Sequence, residues 1–239
     1  MTSGLPGAVG ISRLRVYDWP GRDGLRGGSP HLHTACSEGY VVLRGRGSVQ
    51  TLSSVGFAEH ELGEGTVLWF TPGTVHRLVN SSGDLELLAL MQNSGLPEAG
   101  DAVLTFPAEV LADPPAYARA ATAYDADTAR ARRDRALEGF AELRRRVAAE
   151  GPSALVDLHT AAARLVAPRI EEWRQLWRAG PAAQAEVTAG QFDALSAGDP
   201  AHLEDARPFA APALPGERFG MCGRLSAWDL DQATSSPGK

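Results

Sequence analysis

The sequence predicts a mainly β N-terminal half followed by a mostly α-helical C-terminal region. Up to Pro107, short alternating apolar stretches are separated by clusters of Gly, Ser, Asn and Asp, which is typical of an antiparallel barrel or sandwich. Beyond Pro107 the composition shifts to Ala, Arg, Glu and Leu, and apolar residues recur at helical spacing. We therefore expect one domain over 1–107, a helical region over 108–231, and a flexible tail over 232–239.

Strands in the N-terminal half are predicted wherever an apolar run alternates between turn-forming residues. Their bounds are 39–43, 47–52, 66–70, 77–80 and 85–91. Near the C-terminus, the stretch 218–228 alternates again, with Phe219, Met221 and Leu225 at positions of one parity. That pattern predicts a late strand that returns to the β half of the chain, although its glycines weaken the pattern.

Helices are predicted over 127–150, 153–166, 168–179 and 182–196. In the first of them, Leu137, Phe140 and Val147 fall on one face at helical spacing. Asp127 is the expected N-cap of that helix, and Gly151 followed by a proline ends it. The arginines between 130 and 146 alternate with acidic residues, a pattern that favours a solvated helix with ion pairs between successive turns.

Composition excludes several classes of protein. The chain has 239 residues, a formal net charge of -6 and 44% hydrophobic residues, which argues against disorder and against general nucleic-acid binding. No apolar run is long enough to span a bilayer, and the first residues lack the features of a secretory signal. Cys36 and Cys222 are too few for a disulfide scaffold. We expect a soluble cytoplasmic protein, and the bias towards arginine over lysine favours a bacterial source.

Three histidines and one glutamate form the informative constellation. His31 and His33 are two residues apart on an extended segment, so their side chains project from the same face. Glu38 begins an apolar strand five residues later, and a Pro-Gly turn delivers His76 to the start of another strand. Imidazoles and a carboxylate held on strands are a plausible site for a divalent first-row metal.

These residues resemble the two sequence motifs of the cupin superfamily. The first motif, G-x5-H-x-H-x3,4-E-x6-G, is matched by His31, His33, Glu38 and Gly45. The second motif, G-x5-P-x-G-x2-H-x3-N, is matched by Gly65, Gly73, His76 and Asn80. The departures are the first glycine of the first motif, which lies too close to His31, and Thr71, which stands where the family has proline. The resemblance covers about residues 12–107 and leaves the C-terminal half unexplained.

The resemblance implies a small antiparallel barrel of jelly-roll type with one divalent metal ion per chain inside it. It implies that His31, His33, Glu38 and His76 are the ligands, with one or two positions left open for a substrate or dioxygen. Iron, manganese, nickel, zinc and copper all tolerate such ligands, so the ion is left open. Because cupins often associate through edge strands, we also expect a homodimer.

The other candidate residues are Tyr40, His60 and His159, and only Tyr40 has two interpretations. Tyr40 shares a strand face with Glu38, and it is either a catalytic hydrogen-bond donor or a wall residue. His60, between two glutamates, is expected at the surface, and His159 is expected to be a hydrogen-bonded residue on a predicted helix. The candidate catalytic residues are therefore Glu38 and Tyr40.

Three functions follow from this reading of the chain. The first is a metal-dependent enzyme acting on a small organic molecule by dioxygenase-type chemistry, favoured because no cluster of cationic side chains on the predicted strands could bind a phosphate. The second is an isomerase, epimerase or cyclase of a sugar or polyketide-like substrate. The third is a non-catalytic module that binds or senses a small molecule. In each case the expected partner is a small molecule, and neither nucleic acid nor a membrane is expected.

Overall fold

A computed structural model describes residues 4–230 and 232–235. Nine strands form the N-terminal half: β1 Gly10–Val16, β2 His31–His33, β3 Glu38–Arg44, β4 Arg46–Ser53, β5 Gly56–Gly63, β6 Val67–Phe70, β7 Val75–Val79, β8 Glu86–Met91 and β9 Ala102–Leu104. Four short strands follow the helices: β10 Phe209–Ala210, β11 Arg218–Phe219, β12 Gly223–Ala227 and β13 Thr234–Ser235. The predicted fold class, antiparallel sheets followed by a helical region, is confirmed.

Two sheets build the barrel. One has the strand order β11-β12-β1-β8-β3-β6 and the other the order β5-β4-β7-β2-β9, while β10 and β13 form a separate pair. Each of the five strands predicted in the N-terminal half has an observed counterpart with similar bounds. The sequence did not predict β1, β2, β5 and β9. The edge strand β5 shows why, because its run Glu59, His60, Glu61 lacks the apolar alternation that identifies a half-buried strand.

The barrel core lies between the inner faces of the two sheets. Tyr40, Val42, Leu78 and Leu87 are fully or almost fully buried there. Because side chains alternate across a strand, Glu38 lies on the same face of β3 as Tyr40 and Val42. Similarly, His76 lies on the same face of β7 as Leu78. The apolar core therefore extends along the strands directly up to the candidate ligands.

In the described part of the chain, seven α-helices follow the ninth strand. They are α1 Ala108–Leu111, α2 Pro114–Ala121, α3 Ala126–Glu150, α4 Val156–Val166, α5 Ile170–Trp177, α6 Ala183–Ser196 and α7 Ala201–Glu204. The expected cap of α3 was two residues too late. Asp125, not Asp127, accepts a hydrogen bond from the backbone N–H of Thr128, whose side chain completes a capping box. An aspartate at either position would look like a cap in the sequence.

The helices cover the outer face of the five-stranded sheet. Leu32 and Val75 point outward from β2 and β7 and pack in one cluster with Phe140 of α3, Leu158 of α4 and Trp173 of α5. The helical region is thus a second layer against one side of the barrel.

The sequence predicts that the arginines of α3 are exposed to solvent, but two of them are not. They are buried and donate to backbone carbonyls of loops beside the barrel, Arg132 to Gly220 and Arg133 to Trp19 and Pro20.

The chain returns to the barrel after the helices. β12 pairs antiparallel with β1, with Leu225 opposite Leu14. The residue before β12, Cys222, is buried in the barrel core, and its backbone oxygen accepts a hydrogen bond from Tyr17. The C-terminal segment is thereby an integral part of the six-stranded sheet. Residues 236–239 of the predicted tail lie outside the described residues.

Among residues 4–230 and 232–235, no helix is long and apolar enough to cross a membrane. The expected homodimer stays a prediction.

Candidate metal centre

The two sheets bring together the four candidate metal ligands of the two sequence motifs. His31 and His33 project inward from β2, and His76 of β7 lies directly opposite His31 in the strand register. Glu38 faces them from β3 in the other sheet. All four side chains are buried, with His76 fully enclosed and Glu38 only 7% exposed.

Distances within this cluster suit a single ion. Four ligand atoms, one from each side chain, lie within 4.8 Å of one another. Glu38 Oε2 is 3.0 Å from His76 Nε2 and 3.2 Å from His33 Nε2, and the Nε2 atoms of His31 and His76 are 3.1 Å apart. Two ligand atoms bound at right angles about 2.1 Å from one ion are about 3.0 Å apart. The cluster therefore already has the spacing of adjacent metal ligands.

Hydrogen bonds orient the imidazole rings. Nδ1 of His31 donates to the Ser29 carbonyl at 2.9 Å, and Nδ1 of His76 donates to the Thr74 carbonyl at 3.1 Å. Since a carbonyl only accepts, Nδ1 of each ring carries a hydrogen, which leaves Nε2 as the atom that can bind an ion at the centre. These Nε2 atoms and Glu38 Oε2 are therefore the atoms that a cation at the centre would bind.

Asp101 is a site residue that the sequence analysis missed. Its fully buried carboxylate accepts a hydrogen bond from His33 Nδ1 at 3.2 Å, and it also accepts the backbone N–H groups of Thr34, Ala35 and Cys36. One side chain thus fixes both the His33 ring and the turn that leads to Glu38. No pattern near position 101 signals this role, because its partners lie more than sixty residues earlier in the chain.

Charges in the cluster favour a cation. Burial by itself would raise the pKa of Glu38, but the imidazoles of His33 and His76 hold it well below its usual value. Burial and the neighbouring histidines lower the pKa of His31. Burial also opposes protonation of His33, yet Asp101 and Glu38 raise its pKa to about 9. Two buried carboxylates, Glu38 and Asp101, therefore adjoin the imidazoles, and a divalent ion that displaces the proton of His33 would have nitrogen and oxygen ligands.

Tyr40 lies two residues beyond Glu38 on the same face of β3 and is fully buried. Its hydroxyl has no hydrogen-bond partner within the described part of the chain. Burial, and next the carboxylate of Glu38, raise the pKa of Tyr40 well above its usual value. The phenol stays neutral and is free to donate a hydrogen bond.

Asn80, the last residue of the second motif, is not brought to the cluster. Its side-chain oxygen accepts the N–H groups of Gly83 and Leu85, and its amide donates to the Val16 carbonyl. This asparagine therefore stabilises the turn after β7 and has no contact with the candidate ligands.

Comparison with known protein families identifies one match. Residues 20–91 match the family model described as a cupin domain. Among curated proteins, none matches the chain.

The solved structures to which the chain is similar are distant from it in sequence. Pac13, a nucleoside dehydratase from Streptomyces, is 16% identical with a TM-score of 0.31, and the match covers 40% of this chain and 66% of that one. The ketoisomerase WlaRA from Campylobacter jejuni is 18% identical with a TM-score of 0.31, over 39% and 64% of the two chains. A double-stranded β-helix protein from Klebsiella pneumoniae is 15% identical with a TM-score of 0.27, over 35% and 64%. The matches span less than two thirds of the length of these relatives.

Proposed function

Residues 20–91 match a cupin domain, and we propose that the chain is a metal-dependent enzyme of the cupin superfamily with dioxygenase-type chemistry on a small organic molecule. The observation that carries the proposal is the convergence of three imidazole Nε2 atoms and one carboxylate oxygen inside the barrel. The Nδ1 atom of each ring has an acceptor outside the cluster, which leaves the three Nε2 atoms for an ion.

Each residue of the cluster has a role in this proposal. His31, His33, Glu38 and His76 would hold one ion, which when bound supplies Lewis-acid or one-electron redox chemistry. Glu38, kept ionised by the adjacent imidazoles, is the base that accepts a proton from a substrate hydroxyl. Tyr40, kept neutral by burial, donates a hydrogen bond from its phenol to a substrate oxygen or to Glu38.

The positions of the cationic side chains favour oxygenase chemistry over the isomerisation of phosphorylated sugars. Arg13, Arg15 and Arg44 of the six-stranded sheet are exposed, and Arg77 of β7 forms an ion pair with Asp23. None of these four arginines is thus left to bind a phosphate beside the cluster, whereas the neighbouring walls are apolar, as at Phe70 and Met91.

The test is metal content per chain, measured by elemental mass spectrometry on protein purified without an affinity tag or chelator. We expect near-stoichiometric iron, manganese, nickel or copper in the wild type, and its loss in His76→Ala because three ligands bind much more weakly than four. His202→Ala, a histidine substitution in α7, is the matched control and should keep the metal.

Dioxygen consumption with a panel of phenols and keto acids then tests the reaction class. Stoichiometric zinc without oxygen uptake would replace the dioxygenase by an isomerase, epimerase or cyclase. A wild-type protein that neither contains metal nor takes it up would contradict the enzyme and leave a non-catalytic binding module.

A further inference from the structure

A cavity of about 490 Å³ opens between the two sheets of the barrel. Its lining comes from β4, β5, β6, the turn before β7, and His159 of α4. Within the described chain, β5 and β6 are the edge strands of their sheets, each paired on one side only. The barrel is therefore open between these two strands, and the volume is within the range of small-molecule sites.

Two side chains connect this cavity to the candidate metal centre. Thr51 of β4 lies directly opposite His76 in the strand register, so both side chains are on the inner face. Phe70 of β6 also lines the cavity, and the centroid of its ring lies 4.2 Å from that of His76. A molecule in the cavity would thus contact two side chains that border His76.

The lining of the cavity carries no fixed charge. Among the described residues that form it, none is Asp, Glu, Lys or Arg. Its polar groups are hydroxyls, such as those of Thr51 and Thr71, and the imidazoles of His60 and His159. Phosphate and carboxylate groups are normally bound by Arg or Lys, which this lining lacks. The lining therefore favours an uncharged molecule with hydrogen-bonding oxygens.

Of the two imidazoles, His60 is the one free to bind a ligand. His159 Nε2 donates to the Gly73 carbonyl at 2.9 Å and so joins α4 to the turn before β7. His60 lies opposite the fully buried Val49 and two residues before the buried Leu62, which puts its side chain on the inner face of β5. Its nearest polar partner is Thr51 Oγ1, at a long 3.4 Å.

We propose that this cavity holds the part of the substrate that lies away from Glu38 and Tyr40, and that His60 selects an uncharged substrate by a hydrogen bond to its hydroxyl or carbonyl oxygen. Thr51, between His60 and the ligand cluster, provides a second hydrogen bond. The inference rests on the proposed function, because a substrate pocket requires a reacting centre beside it. It restricts the substrate class to neutral hydroxylated or carbonyl compounds and disfavours sugar phosphates and nucleotide sugars.

The test uses crystals of the full-length protein and two matched sets of probes, uncharged phenols and cyclic polyols in one set and aryl phosphates in the other. We expect the uncharged probes to occupy the cavity with an oxygen within hydrogen-bond distance of the His60 ring. An empty cavity, or aryl phosphates bound there as often as phenols, would overturn the proposal.

Affinity measurements on variants test the role of His60 itself. For the tightest uncharged probe we expect His60→Phe to lose about tenfold in affinity, the usual effect of one hydrogen bond, and His60→Gln to recover most of it. Glu61→Gln, on the outer face of the same strand, is the matched control and should bind as the wild type does. Equal affinities for His60→Phe and the wild type would contradict the assignment.

Metal content of the same samples separates this inference from the proposed function. Metal-loaded protein whose cavity stays empty would overturn the pocket alone. Probes bound in a protein that takes up no metal would overturn the enzyme and support the pocket as a binding site.

Discussion

Asp101 shows how much one side chain can organise at the residue scale. Its Oδ1 accepts from the backbone N–H and hydroxyl of Thr34 and from the N–H of Ala35, and its Oδ2 accepts from Cys36 N–H and His33 Nδ1. These bonds outweigh the effect of burial and lower the pKa of Asp101 to about 2. Both oxygens face several donors, so the position requires a carboxylate.

We therefore expect Asp101→Asn to disrupt the turn after β2 and to weaken metal binding. In either orientation its amide NH₂ would face N–H groups of the turn, and His33 would lose its anionic partner. We expect metal affinity to fall by about 10–100-fold, measured by competition with a chromophoric chelator. Asp193→Asn, on the exposed surface of α6, is the control. Unchanged affinity in Asp101→Asn would contradict the positioning role.

At the element scale, α3 docks on the barrel through a glycine. A Cβ at Gly139 would be 2.1 Å from the Thr105 carbonyl oxygen, so the backbones of the helix and of the segment after β9 are in direct contact. Beside it, the Thr105 hydroxyl donates to the Ala136 carbonyl at 2.9 Å. The helix could not approach the sheet so closely with any larger residue at this position.

Two glycine-to-alanine substitutions distinguish this packing from helix propensity. Gly190 lies in α6 with nothing within 4 Å of the added Cβ, so Gly190→Ala should raise the free energy of unfolding by up to about 1 kcal/mol. Gly139→Ala should lower it by about 1–3 kcal/mol, because the clash with backbone outweighs propensity. Urea denaturation measures both. A stabilised Gly139→Ala would show that α3 is not docked as described.

At the scale of the whole molecule, the ligand cluster joins the two sheets. His31, His33 and His76 come from the five-stranded sheet, and Glu38 comes from the six-stranded sheet. The last stretch of the chain adds β12 to the second sheet, beside β1. An ion held by this cluster would bind only the folded chain, because the four ligands meet only when both sheets are formed.

Metal removal should consequently lower thermal stability. At a free metal concentration one hundred times Kd, binding contributes about 2.7 kcal/mol, and for a chain of this size its loss corresponds to a Tm lower by about 5–10 °C. Differential scanning calorimetry with and without chelator measures the difference. Glu38→Gln should show little response to the chelator. The same response in wild type and Glu38→Gln would show that the stabilising ion binds elsewhere.

The sequence by itself determined the fold class and the four residues that meet in the barrel. The spacing of His31, His33 and Glu38 is local, and the Pro-Gly turn before His76 is local as well. Period-two alternation then places such side chains on one face of their strands. The resemblance to cupins adds that these faces enclose a common interior. These conclusions need only short-range geometry and a known barrel.

Only the tertiary structure decided which distant residues serve this centre. Asp101 reaches His33 because β9 pairs with β2, and His60 lines the cavity because β5 pairs with β4 in a register that puts it opposite Val49. The same holds for the helical layer over one sheet and for the return of β12 to β1. A shift of one residue in any of these pairings would turn every side chain of that strand to the other face. Register is set by the packing of the whole barrel, and a linear pattern does not contain it.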